Sequence, residues 1–346
     1  MNKRGNFRWI ICGLLFFSVT INYVDRQIIG LLKQPLSREL GWTETDYASI
    51  AAWFLWAYAF GYLLGGRVMD WIGVKIGLPV SVFLWSVACA AHGLVRSVVG
   101  FRTARVGLGL AEGGNFPGAI KTVAEWFPAK ERALATGVFN AGTNVGAIIC
   151  PLVVPWMATV WGWQMAFYIT GTLGIFWIVI WALVYDVPEQ HRRLSDSERA
   201  YIQRGQSQVV NEKSSVPWLS LFRYRAVWAY LIAGILAGPI WPIYLFFLPD
   251  FLQKRFSLTL AELGLPVAIF YLVASFGGVA GGWLASKLID RGWSLNAARK
   301  VSLLACAVSY CCCAIRLCLR SCSCRPALRA ASLAWAWSLA RVASAL

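Results

Sequence analysis

Apolar stretches long enough to cross a bilayer recur along the chain, separated by short polar turns. A spanning helix needs about 20 predominantly apolar residues. Such segments fall at 8–32, 46–69, 76–96, 102–126, 134–158, 164–186, 227–252 and 264–288, with a weaker ninth at 301–319. An outer-membrane barrel would instead show segments of about 10 alternating residues, so the pattern predicts helices. The one long polar insertion is 187–226. Within it, Ser195-Asp-Ser-Glu198 reads as a capping box and predicts the start of a short surface helix. His191, in the same insertion, is expected to face water, and His92, near the end of the third segment, to sit at the membrane interface. The expected domains are a six-helix transmembrane bundle at 1–186, a cytoplasmic linker at 187–226, a partial second bundle at 227–305 and a tail of different character at 306–346. The expected fold class is all-α, a polytopic membrane helical bundle.

Composition supports the membrane class. Of the 346 residues, 58% are hydrophobic and only 14% charged, against about 25% charged in soluble domains. The 19 Trp suit a chain whose helix ends lie at lipid headgroups. The net charge of +16 does not argue for nucleic acid, because the cations are spread over many short loops. Arg67 and Lys75 follow the second segment, Lys130 and Arg132 the fourth, and Lys287, Arg291, Arg299 and Lys300 the eighth. That bias places the N-terminus in the cytoplasm, although Arg96, Arg102, Lys254 and Arg255 run against it. No Gly-rich loop ends in Gly-Lys-(Ser/Thr), which argues against an ATP-driven pump. Motifs of enzyme chemistry are missing, and no cofactor or metal is expected.

Charges inside the apolar segments stand out, because an ionised group at the bilayer centre costs several kcal/mol. The first segment contains "VTINYVDRQIIGLL" (Val19–Leu32), with Asp25 directly followed by Arg26. Neighbours on a helix point about 100° apart, which makes a mutual salt bridge awkward but leaves it as the alternative to a transport role. A carboxyl in a dry cleft suits a proton carrier, and an arginine can grip a carboxylate through two parallel hydrogen bonds. Asn22 and Tyr23 lie one turn earlier and share that face. Arg105 and Glu112 are two turns apart on one face, roughly 10 Å. Gly107, Gly109, Ala111, Gly113 and Gly114 lie among them and let other helices approach closely. This charged face therefore points inward, either to a substrate or proton path or to interhelical pairs that only hold the bundle. Asn140, Thr143 and Asn144 form a polar stripe on the fifth segment, with ordinary interhelical hydrogen bonding as the alternative. In the seventh, Pro239, Pro242 and Pro249 interrupt the helix, with Trp241 and Tyr244 between them.

A local repeat links the two parts of the chain. "GGRVMDWIGVKIG" (Gly65–Gly77) and "GGWLASKLIDRG" (Gly281–Gly292) both run from a Gly pair into a charged turn, about 216 residues apart. The first copy resembles the signature of the major facilitator superfamily, Gly-xxx-Asp-(Arg/Lys)-x-Gly-x-(Arg/Lys). Here it reads Gly66-Arg-Val-Met-Asp70-Trp-Ile-Gly73-Val-Lys75, with Trp71 in place of the usual cation. "RVGLGLAEGGNFPGAIKTVAEWFPAKERALATGVFNAGTNVGA" (Arg105–Ala147), with Asp25–Arg26, is similar to the anion:cation symporter branch, nearest to its proton-coupled hexuronate and sugar-acid transporters. The likeness covers about residues 1–305. It implies a complete six-helix N-terminal half and an incomplete C-terminal half. It implies Asp25 and Glu112 for proton coupling, and Arg26 and Arg105 for the substrate's charge. Tyr23, Tyr58, Asn140, Thr143, Asn144, Trp241 and Tyr244 would line the substrate site, and Gly66, Asp70, Gly73 and Lys75 would serve conformational change. The expected function is proton-coupled uptake of a hexuronate or related sugar acid across the inner membrane by a monomer in contact with lipid. The alternatives are another organic anion (galactonate, glucarate or an aromatic acid) or a membrane remnant that does not transport.

The tail reads differently. Seven of the ten cysteines fall between Cys306 and Cys324, and Arg316, Arg320, Arg325, Arg329 and Arg341 interrupt any span. A metal or redox site is disfavoured, since the tail has no His and no paired Cys-x-x-Cys knuckles. The repeat offset implies an intact protein of about 432 residues, so the chain is expected to be about 86 residues short, with out-of-frame sequence from near residue 305.

Overall fold

The structure is a computed structural model that describes residues 5–206, 220, 222–294, 296–298 and 300–305. Among these residues all regular secondary structure is helical. The helices are α1 Phe7–Leu31, α2 Lys33–Leu40, α3 Glu44–Ile72, α4 Val74–Ala91, α5 Val98–Glu112, α6 Asn115–Trp126, α7 Ala129–Trp161, α8 Trp163–Val184, α9 Asp196–Gln206, α10 Arg225–Ala237, α11 Ile240–Phe256 and α12 Leu260–Asp290. Among the described residues seven stretches are long and apolar enough to cross a membrane, and the chain is a multi-pass membrane protein.

Two predicted spans are divided. The fourth breaks between α5 and α6, where Gly113 donates to Gly109 O (3.1 Å) but Gly114 to Ala111 O (3.3 Å), a tighter turn. The Ser81 hydroxyl also donates to the Ala111 carbonyl (2.5 Å), satisfying an acceptor that a continuous helix would have paired with Asn115. The seventh breaks at Gly238–Pro239, between α10 and α11, where a proline removes a backbone donor. Gly73 and Gly162 join α3 to α4 and α7 to α8 as single residues with φ of +76° and +88°, a conformation only glycine adopts freely. The turn in the Gly66–Lys75 signature thus requires its second glycine.

The chain clusters into two compact units. The first combines Met1–Ser215 with Trp241–Tyr271. In it α1 packs on α7, α3 on α5, and α4 on α8 and α5. Small residues set the closest approach: a Cβ on Gly61 or Gly113 would collide with the facing backbone, and one on Gly109 would lie 2.7 Å from Phe54 O. Gly107 differs, since a Cβ there meets only Ala88 in ordinary contact. The outward faces carry Trp56, Phe60 and Leu183, all exposed, as a lipid-facing surface requires. The second unit comprises Val216–Ile240 and Leu272–Leu346, and its described part holds α10 and the latter half of α12.

His191 differs from expectation. His191 is 4% exposed, wedged between Phe7 (4.4 Å) and Trp126 (5.4 Å). His92 is fully buried and stacked on Phe167 (5.1 Å). The polarity of His191 in a polar insertion pointed to water, but both rings supply apolar faces to helix junctions. The predicted helix begins at Asp196, and Ser195 Oγ accepts from Glu198 N–H (3.3 Å). The second half of the box is diverted, because the Glu198 carboxylate accepts instead from Phe7 N–H and Arg8 N–H at the start of α1 (both 3.2 Å). The weaker ninth segment lies largely outside the described residues, and the Cys-rich tail lies entirely outside them.

Candidate functional site

The four charges of the apolar segments are all buried: Asp25 and Arg105 at 0% exposure, Glu112 at 1% and Arg26 at 8%. None faces lipid. Arg26 and Glu112, 86 positions apart, form the ion pair: Arg26 Nη2 and Nε donate to Glu112 Oε2 at 2.9 and 3.1 Å. Arg26 Nη2 also donates to Asn22 Oδ1 (3.1 Å). Its guanidinium lies over the rings of Tyr58 (4.3 Å), Tyr23 (4.9 Å) and Phe54 (5.4 Å), contacts worth about 0.5–2 kcal/mol each. The close approach of α3 to α5 at Gly109 makes this possible by bringing Tyr58 and Phe54 beside the charged face.

Arg105 is different. Its only hydrogen bond among the described residues runs from Nη1 to Arg26 O, a long 3.4 Å, and Phe54 faces it at 5.4 Å. Among the described residues Nε and Nη2 have no partner, and no carboxylate lies within ion-pair distance. These two atoms form the edge of the guanidinium that grips a carboxylate side-on. Asp25 is also without a cation: Oδ1 accepts from the Cys89 thiol (3.4 Å), itself 3.5 Å from Thr170 Oγ1, and Oδ2 has no partner. Arg26 therefore turns away from its chain neighbour toward Glu112, as the angle between adjacent helix positions favours.

The remaining predicted residues fall in several places. Tyr23, Tyr58 and Trp241 are half-buried, with Tyr23 beside Trp241 and Trp241 packed edge-on against Tyr271 (5.6 Å). Tyr244 packs on Phe270 (5.2 Å). Asn140 is exposed and Thr143 and Asn144 are half-buried, on a flank of α7 beside the Phe139–Gly142–Gly146 face that is buried. Thr143 donates to its own helix at Asn140 O (2.8 Å), so its donor is already used. The signature residues lie at the other end of α3. Asp70 pairs with Lys121 (2.9 Å), Lys75 with Asp186 (2.9 Å), and Trp71 is 86% exposed. The Lys75 ammonium and the Val187 N–H hold the Asp186 carboxyl below the ordinary Asp value.

Sequence reasoning missed Cys89 and Thr170, which are neutral residues in apolar segments with nothing to mark them as the neighbours of Asp25. It also missed a second buried charge cluster. Lys33, at the start of α2, donates to Asp250 (2.5 Å) and Glu44 (2.6 Å), and Gln34 donates to Asp250 (2.6 Å). The Tyr47 hydroxyl donates to Phe246 O (2.7 Å) beside it. A carboxylate within the apolar run ending at Leu252 was the available signal. A surface cavity of about 410 Å³ lies against Phe247, Asp250, Phe251, Lys254 and Arg255, and contains none of the four central charges.

Comparisons with known proteins fit this arrangement. The chain is 33% identical over 287 residues to the galacturonate transporter of Dickeya chrysanthemi, covering 82% of this chain and 83% of that protein. It is 33% identical over 299 residues to the hexuronate transporter of Escherichia coli strain K12, covering 86% and 69%. Among solved structures it superposes on a bacterial homologue of the human lysosomal transporter Spinster (TM-score 0.67, 21% identity, 83% of this chain and 64% of that one) and on a D-xylose-proton symporter (TM-score 0.59, 15% identity, 82% and 70%). Those likenesses establish the fold. The family model of the Major Facilitator Superfamily matches residues 15–339, past the point near 305 where the sequence resemblance was expected to end. A bundle of spans with ionised groups turned inward, a glycine-dependent turn in the signature and this match together place the chain in the Major Facilitator Superfamily, as a membrane transport protein rather than an enzyme.

Proposed function

We propose that the chain takes up a hexuronate or related sugar acid together with protons. The observation that carries the reading is the buried Arg105 guanidinium whose Nε–Nη2 edge is unmatched. A buried cation without a counter-ion is costly, and a substrate carboxylate supplies the missing partner in two parallel hydrogen bonds. The names of the relatives, galacturonate and hexuronate transporters, support a sugar acid. Tyr23, Tyr58, Trp241, Tyr244 and the Asn140–Thr143–Asn144 stripe would meet its hydroxyls, and Arg26 would hold the site's charge balance through Glu112.

Proton coupling would use the two carboxyls. Asp25 has no cation within ion-pair distance among the described residues, so a proton arriving there breaks no salt bridge. Glu112 is the charge partner that a proton would release from Arg26. We further infer an inner-membrane location with a cytoplasmic N-terminus, which places Asp70, Lys121, Lys75 and Asp186 at the cytoplasmic end as the pairs that conformational change would break.

Uptake of labelled D-galacturonate into proteoliposomes, with the outside acidified, tests the reading. Arg105→Ala should abolish uptake and equilibrium binding. Asp25→Asn should abolish accumulation driven by the proton gradient while leaving binding. Uptake of similar size by Arg105→Ala would overturn the assignment.

A further inference from the structure

Gln27 is fully buried on α1, and neither its Oε1 nor its Nε2 has a hydrogen-bond partner among the described residues. Buried amides in native proteins are nearly always paired, so both ends idle on one side chain asks for an explanation. Its place on the helix supplies one. Three positions later, Gly30 runs so close to α11 that a Cβ would lie 2.9 Å from Leu245 O and 3.3 Å from Phe246 O. Four positions earlier, Tyr23 lies beside Trp241 of the same α11. Gln27 therefore sits between two contacts, on the face of α1 that meets α11. Helical side chains lean back over the preceding turn. That turn carries Tyr23, whose ring lies 4.9 Å from the Arg26 guanidinium. The indole N–H of Trp241 is buried too, turned toward Tyr23 and with no other partner among the described residues. On this face of α1 the Gln27 amide thus offers a donor and an acceptor that are unused among the described residues, and the Trp241 N–H lies by the preceding turn.

We propose that Gln27, together with Trp241 Nε1, is a specificity subsite that reads a hydroxyl group of a polyhydroxylated acid while the charged groups hold its carboxylate. The inference rests on the sugar-acid reading above. A hydroxyl both donates and accepts, so it satisfies an amide oxygen and an N–H at once. An acid lacking that hydroxyl leaves these buried groups unpaired, and sites built this way discriminate strongly against the shorter hydrogen-bonding partner.

The test is equilibrium binding to the purified full chain in nanodiscs, with D-galacturonate and its monodeoxy derivatives as probes. The wild type should prefer D-galacturonate to at least one monodeoxy derivative by about tenfold or more. Gln27→Leu should lose that preference by weakening D-galacturonate while leaving the disfavoured derivative unchanged. Trp241→Phe, which keeps the ring and removes the N–H, should narrow the same ratio. A ratio unchanged in both variants overturns the proposal, whether both probes weaken together, as a packing role predicts, or neither does. Arg105→Ala serves as the separate control. Should it bind D-galacturonate like the wild type, the sugar-acid reading fails, whatever Gln27 does.

Discussion

The two buried arginines should respond to the same substitution with opposite signs. Arg105→Met removes a guanidinium whose Nε and Nη2 have no partner. Each unsatisfied buried group costs about 1–3 kcal/mol. Against that gain stand one long hydrogen bond to Arg26 O at 3.4 Å and the Phe54 face at 5.4 Å, together about 1–2 kcal/mol. Methionine fills similar volume with an adaptable chain. The ligand-free protein should therefore gain about 1–3 kcal/mol while losing ligand-induced stabilisation. Arg26→Met strands Glu112, whose Oε2 loses both donors at 2.9 and 3.1 Å. Breaking a buried pair costs about 3–5 kcal/mol. At about 2–4 °C per kcal/mol in a domain of moderate size, the two variants should straddle the wild type by several degrees. Thermal unfolding followed by tryptophan fluorescence, with and without D-galacturonate, measures both effects. A lowered midpoint for Arg105→Met would show that this guanidinium is a structural tie, and the argument for a waiting anion site would fall with it.

Other substitutions probe the scaffold. Gly113→Val should destabilise by about 2 kcal/mol or more, because its Cβ collides with the Gly61 and Tyr62 backbone, whereas Gly107→Ala should be nearly neutral; unfolding midpoints compare them. Lys33→Met should cost about 1.5–3 kcal/mol by removing charged bonds to Asp250 and Glu44, and a Lys33→Met/Asp250→Leu double variant should recover much of it in a double-mutant cycle. Asp186 titrates below the ordinary Asp value, so the Lys75 contact stabilises the fold above that value and fades as pH falls through the lower, folded one. Being exposed, it is worth at most about 1 kcal/mol, so Asp186→Asn should differ from wild type at pH 7 and match it at low pH in unfolding scans.

Much of this protein was legible in the chain itself. The bilayer demands runs of apolar residues of nearly fixed length, and each run is a local property, so the spans and the membrane class follow from counting. The need to hide charge from lipid says that Asp25, Arg26, Arg105 and Glu112 turn inward, wherever their partners lie. Glycines spaced along α5 announce close helix contacts, and Gly73 announces a turn. Partnership itself was not legible. Arg26 finds Glu112 across 86 positions, Asp25 finds Cys89 across 64, and Lys33 finds Asp250 across 217. Which of two neighbouring arginine candidates stays unpaired depends on how α1, α3 and α5 rotate against one another. Packing of small residues settles that rotation, and no local pattern encodes it. His191 makes the same point in reverse: its place in a polar insertion suggests water, yet Phe7 and Trp126 from distant segments enclose its ring. Apolar length is decided residue by residue, whereas the pairing of charges is decided by the geometry that brings distant helices together.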